Sequence, residues 1–131
     1  MTGRTHDMAA LTALGFVALT THPLPEITLA TGITAVFANM LGGIAPDIDQ
    51  PTAHIWSDIP IIGRILGKAT SLALGGHRNL SHSLLGLTFF SFLAYWVIGH
   101  FPIKEIVVSQ IAFISFEVGF IFHLLADSTT V

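Results

Sequence analysis

The chain has 131 residues, of which 52% are hydrophobic and only 10% charged, with a formal net charge of −3 and a mean hydropathy of +0.75. A soluble domain carries about 25% charged residues, so too few charges are available here to cover a water-facing globule, and lipid is the expected solvent. The small net charge without a basic stripe argues against a nucleic-acid partner. The absence of cysteine excludes disulfides, thiolate metal ligation and a thiol nucleophile.

Four apolar stretches follow one another along the chain. Met8 to Thr21 is the shortest and is rich in Ala and Thr. It has the look of a signal-peptide core behind Arg4, but it ends in Thr21-His22-Pro23-Leu24-Pro25 without a small-x-small cleavage site, so retention is expected. Ile27 to Ala45 comes next, with Pro25 and Glu26 at its start and Pro46 as its stop. Leu84 to Phe101 lies between a Ser-rich entry and Pro102, and Ile106 to Ala126 follows Lys104-Glu105. A helix crossing a bilayer needs about 20 mainly apolar residues. The expected fold is all-α, a multi-pass membrane helical bundle of about four transmembrane helices paired as two hairpins. Residues 1–131 would form a single domain, since no repeat or low-complexity tract divides them.

Between the hairpins, Ile55 to Leu74 mixes Ile, Leu and Trp56 with Asp58, Arg64 and Lys68. That pattern predicts an amphipathic segment at the interface, as one helix or two short ones, or a re-entrant fifth element. Pro60, Gly63 and Gly67 weigh against a single helix. With four crossings, Arg4, Arg64, Lys68 and Arg78 share one side and Lys104 faces the other. The positive-inside rule makes the richer side cytoplasmic, in a cell (inner, cytoplasmic) membrane.

The ionisable residues gather where the apolar runs end. His123 and Asp127, four apart, lie on one helix face about 5–6 Å apart at Cβ. They could share an ion, or simply pair with each other where a helix meets water. Pro46 should end the second helix. If the exit is extended, alternate side chains point the same way, and Asp47 and Asp49 converge on one target. Carboxylates held together call for a cation or a proton between them; a solvated turn with capping aspartates is the plainer alternative. In His77-Arg78-Asn79-Leu80-Ser81-His82-Ser83, Gly75-Gly76 permit a sharp turn beforehand. Ser81 or Ser83 would cap the third helix, and Arg78 suits a phosphate or carboxylate. His22, His54 and His100 have no local partner set. Asn39 and Glu117 lie inside expected spans and should face the bundle interior with partners, Glu117 pointing away from the His123 face. Trp56, Tyr95 and Trp96 read as packing or interfacial anchors, and the Phe-rich third and fourth spans as lipid-facing bulk.

Taken in order, His6, Pro46-Asp47-Ile48-Asp49, His77-Arg78 with Ser81-His82-Ser83, and His123 with Asp127 and Thr130 resemble the YdjM-like family of membrane-bound metal-dependent hydrolases. The resemblance covers nearly the whole chain. Two departures stand out: Ser81 replaces the Thr usual in the family, and this chain stops at Val131 where members continue, as a natural short form or a truncated fragment.

The resemblance implies that His6, Asp47, Asp49, His77, His82, His123 and Asp127 bind one or two divalent ions, Zn2+ first among them. The activity expected is hydrolysis of a phosphoester or other anionic substrate at the cytoplasmic membrane surface. Arg78 would neutralise the phosphate and Asp49 would act as base. Membrane lipid is the expected partner, with a lipid-linked or phosphorylated substrate. A non-catalytic divalent-metal binding or transport protein is the rival expectation, and a scaffold with structural histidines a third.

Overall fold

The computed structural model describes residues 3–20, 28–57, 59, 61–73, 75, 81–101 and 105–129, with the backbone alone for residues 3–7, 54 and 57. Among them are five helices of twelve residues or more: α1 (Gly3–Thr20), α2 (Leu29–Ile44), α4 (Ile62–Ala73), α5 (Leu84–His100) and α6 (Ile106–Ser128). A single turn, α3 (His54–Ser57), precedes α4, and a 3-10 helix, Ala45–Asp49, continues α2. The described residues contain no strand.

Local chemistry sets these boundaries. Thr28 caps α2 through a reciprocal box with Thr31: Thr31 N–H donates to Thr28 Oγ1 at 3.2 Å and Thr28 N–H to Thr31 Oγ1 at 2.9 Å. Ser83 caps α5 by accepting from the Gly86 N–H at 3.1 Å. Pro46 does end α2, but the chain tightens into the 3-10 helix instead of extending. Proline's fixed φ suits a first helical turn, where its missing N–H has no partner to lose.

Together α2 and the 3-10 helix make one apolar run, Leu29–Asp49, and with α6 it is long and apolar enough to cross a membrane. The apolar part of α1 (Met8–Thr20) and α5 are shorter. The expectation for Ile55–Leu74 resolves into two short helices, α3 and α4. Gly63 and Gly67 form the buried face of α4: a Cβ on Gly63 would meet the Trp56 carbonyl, and one on Gly67 would meet the Trp56 ring and Pro51.

The most extensive helix contact joins α2 to α6, while α1 packs on both and α5 packs chiefly on α6. Asn39 Nδ2 donates to Ser115 O at 3.2 Å, a separation of 76 residues. Gly43 meets Gly119, also 76 apart (119 − 43), so the two helices run parallel in steps of four. Their backbones touch because no side chain intervenes: a Cβ on Gly42 would collide with Phe116 O, and one on Gly119 with Asn39 O. Small residues serve this purpose between helices in lipid, where hydrophobicity supplies little attraction. Gly43 also receives Ala10 Cβ from the first half of α1, which sets that half of α1 beside the last turn of α2.

The exterior is apolar, with Leu29, Phe37, Leu84 and Phe92 all well exposed, as lipid contact requires. The Phe-rich helices are more than bulk, however. Phe90 and Phe120 are buried with Ala45 in the core, and Phe116 packs against them. Tyr95 and Trp96 are exposed on α5, whereas Trp56 is buried. Asn39 faces the interior as expected. Its Oδ1, and Glu117 Oε1, find no hydrogen-bond partner among the described residues.

Candidate metal centre

Three helix ends meet at one end of the bundle. Asp47 leaves α2 on the 3-10 helix, His82 precedes the Ser83 cap of α5, and His123 and Asp127 occupy the last turns of α6. Asp47 and His123 extend the α2–α6 register one step further, again 76 apart (123 − 47), and Asp47 Oδ1 lies 3.6 Å from His123 Nε2. His82 Nε2 is 3.9 Å from Asp47 Oδ1 and 3.0 Å from Asp127 Oδ2. Asp127 Oδ2 in turn lies 3.9 Å from His123 Nε2. The two imidazoles meet edge to face with ring centroids 5.6 Å apart. His123 is buried, while Asp47 and Asp127 keep 29% and 13% of their side-chain surface.

Asp47, His82 and His123 each offer one ligand atom, and these atoms lie within 4.8 Å of one another. An ion about 2.0–2.2 Å from each donor needs two donors no more than about 4.4 Å apart, and Asp47 Oδ1 meets that limit with both imidazoles, at 3.9 Å to His82 and 3.6 Å to His123. Two imidazole nitrogens and a carboxylate oxygen are the donor set of catalytic zinc and related divalent sites. The residues present therefore fit a divalent ion. Asp127 stands beside them as a fourth donor.

Asp49 takes a different place. In a 3-10 helix, with three residues per turn, positions two apart diverge, so the alternation expected of an extended exit does not hold. Asp49 is fully buried, and its Oδ2 accepts from Ser81 Oγ at 2.6 Å. Ser81 Oγ is also 3.1 Å from His82 Nδ1. One hydroxyl can accept from the ring N–H and donate to the carboxylate. With its proton on Nδ1, His82 would turn the Nε2 lone pair toward the cluster, the second-sphere pattern of metal-binding histidines.

The 3-10 helix is itself held from outside. Ile48 O accepts from Trp56 Nε1 at 3.0 Å and from Thr70 Oγ1 at 2.7 Å, so α3 and α4 fix the segment that carries Asp47 and Asp49.

Of the seven ligands expected, Asp47, His82, His123 and Asp127 come together. The side chain of His6, and the residues His77, Arg78 and Thr130, lie outside the described residues; the backbone of His6 sits in α1. Ser81, read from sequence only as a cap or a family hydroxyl, is the link from Asp49 to His82. Thr70 carried no signal at all, because its role rests on a contact 22 residues away.

Apolar helices with an imidazole–carboxylate cluster at one end define a helical membrane protein with a candidate metal site. A family profile described as YdjM inner membrane protein matches residues 1–131. The chain belongs to the YdjM inner membrane protein family, and its place is the inner membrane. Comparison with curated proteins and with solved structures gave no match.

Proposed function

We propose that this protein is a metal-dependent hydrolase acting on a phosphoester at the membrane surface. The observation that carries the reading is the convergence of Asp47, His82 and His123 within 4.8 Å. Three donors, Asp47, His82 and His123, suit one ion better than two, since catalytic zinc sites hold three protein ligands and leave a position for water. A divalent ion, Zn2+ by donor type, would supply Lewis acidity and an acidified water. Asp47 and Asp127 keep contact with solvent, which leaves an approach for substrate. Asp127, beside the three-donor set, is placed to take up a proton. Asp49 acts through Ser81 as a positioning residue for His82. Arg78, three residues before Ser81 in sequence, supplies the positive charge that an anionic ester needs.

Four crossings, by α1, α2 with its 3-10 extension, α5 and α6, would place the cluster at the membrane edge. Exposed Arg64 and Lys68 on α4 favour the cytoplasmic side.

The test is metal analysis of detergent-purified protein beside Asp47→Ala, followed by a screen of phosphomonoesters and phosphodiesters. We expect one ion per wild-type chain, loss in the variant, and metal-dependent release of phosphate or alcohol. Wild-type protein without stoichiometric metal would refute the reading. A metal-bound protein that hydrolyses no ester would favour the rival, a divalent-metal binding or transport protein, for which buried Asn39 and the buried Glu117 Oε1 offer polar groups within the spans.

A further inference from the structure

A cavity of about 540 Å³ opens between α2 and α5 with α6 as its floor. It exists because α5 packs on α6 and hardly touches α2. Its walls include Ile33, Phe37 and Leu41 on one side and Leu93, Val97 and Phe101 on the other, and Thr34 is the one polar side chain lining it among the described residues. Toward the cluster it is lined by Ala45, Ile48 and Phe90. Ile48 and Ala45 belong to the same 3-10 helix that carries Asp47, and Phe90 stacks on Phe120, ring centroids 5.6 Å apart, one turn before His123. The cavity thus begins at the segment that builds the metal cluster and runs away from it along the helices.

The groove is long enough for a lipid tail. From Ile33 to Ile48 is fifteen steps along α2 and its 3-10 extension, or about 22 Å at 1.5 Å per residue. One leaflet of a bilayer core is about 15 Å deep. An apolar lining with very few polar groups, at a volume of about 300–1,000 Å³, describes a site for a mostly hydrocarbon ligand.

We infer that the groove between α2 and α5 holds one hydrocarbon tail of a phosphorylated membrane lipid whose headgroup faces Asp47, His82 and His123. This rests on the hydrolase reading and names its substrate as lipid-anchored. A lipid entering sideways from the leaflet would place its phosphate at the water-exposed edge of the cluster while its tail remains among side chains as apolar as its own. No desolvation of the tail is then required.

The experiment uses the full chain in phosphatidylcholine vesicles carrying, at equal mole fraction, phosphatidic acid or phosphatidylcholine with a diazirine in the tail. After irradiation, label is mapped by peptide mass analysis, and bound metal is measured on the same samples. We expect phosphatidic acid to label the Phe90–Phe101 stretch about tenfold more than phosphatidylcholine, a preference worth about 1.4 kcal/mol. The excess should vanish in Ala94→Trp, which fills the groove, and in Val97→Trp, which serves if the first variant does not fold. Equal labelling by the two lipids, or an excess that survives both variants, would overturn the inference. The metal readout separates the two readings: metal with equal labelling removes the groove alone, and preferential labelling without metal removes the hydrolase alone.

Discussion

Asp47 Oδ1 and His123 Nε2 stand 3.6 Å apart at the end of a parallel helix pair whose register is already set by Asn39 and Ser115 two steps of four earlier. The glycines between them allow the backbones to touch, so the approach of acid and base is dictated by packing deep in the bundle.

Removing a donor should remove the ion. His82→Ala and His123→Ala should each lose stoichiometric metal, while circular dichroism reports unchanged helix content. Metal affinity of the wild type should fall as pH is lowered, because each imidazole must shed its proton to bind and protons compete for the same lone pairs. Titration calorimetry at several pH values checks the sign; binding that strengthens with acidity would exclude imidazole ligation.

Ser81 and Asp49 should matter without touching the ion. Ser81→Ala and Asp49→Asn are each expected to weaken metal binding by about 10–100-fold, the usual effect of losing an outer-sphere partner. Ser81→Thr, which keeps the hydroxyl, should stay close to wild type. If Ser81→Ala binds metal as tightly as wild type, the Asp49–Ser81–His82 chain has no orienting role.

Helix contact should be intolerant where the glycines touch and tolerant elsewhere. Gly119→Ala and Gly42→Ala insert a Cβ into a carbonyl of the facing helix, and overpacking of this kind costs about 1–3 kcal/mol or more. Gly15, Gly32 and Gly99 have open space at that position, so alanine there should be neutral or stabilise by up to about 1 kcal/mol. Thermal unfolding in detergent distinguishes the two groups.

Clamping of the 3-10 helix can be released selectively. Thr70→Val and Trp56→Phe each delete one hydrogen bond to Ile48 O, worth about 0.5–1.5 kcal/mol. Each should lower metal affinity more than it lowers the unfolding temperature. Equal losses in both would mean that α4 only contributes to stability.

Because the chain has no cysteine, single thiols report threading cleanly. Ser128→Cys, Lys68→Cys and Phe101→Cys all fall at exposed positions. Labelling with an impermeant reagent should reach the first two from one side of the membrane and Phe101→Cys from the other. Labelling of Ser128→Cys and Phe101→Cys from the same side would contradict an α6 that crosses.

Much of this architecture was legible in the residues. The ends of α2, α5 and α6 fall close to the expected limits because Pro46, Ser83 and the Lys104-Glu105 pair punctuate the apolar runs. Helix α1 begins earlier than its apolar stretch, since the more polar turn from Gly3 to Asp7 continues the same helix. The shape of the Asp47–Asp49 exit was not legible: proline is compatible with both a stop and a first turn, and the deciding contacts come from Trp56 and Thr70. Nor could hydropathy separate Phe90 and Phe120 from phenylalanines that face lipid, because bundle interior and bilayer are equally apolar. The pairing of His82 with Asp127 joins segments 45 residues apart (127 − 82), and single-sequence periodicity carries no information at that range.

The 76-residue interval between Asp47 and His123 also constrains biogenesis. Two of the four converging donors arrive only with the closing turns of α6, so a nascent chain can assemble no complete cage until that helix has threaded and docked. Loading with an ion would accordingly report that insertion has finished, and a polypeptide stalled before Ile106 would remain empty-handed whatever the cellular metal supply.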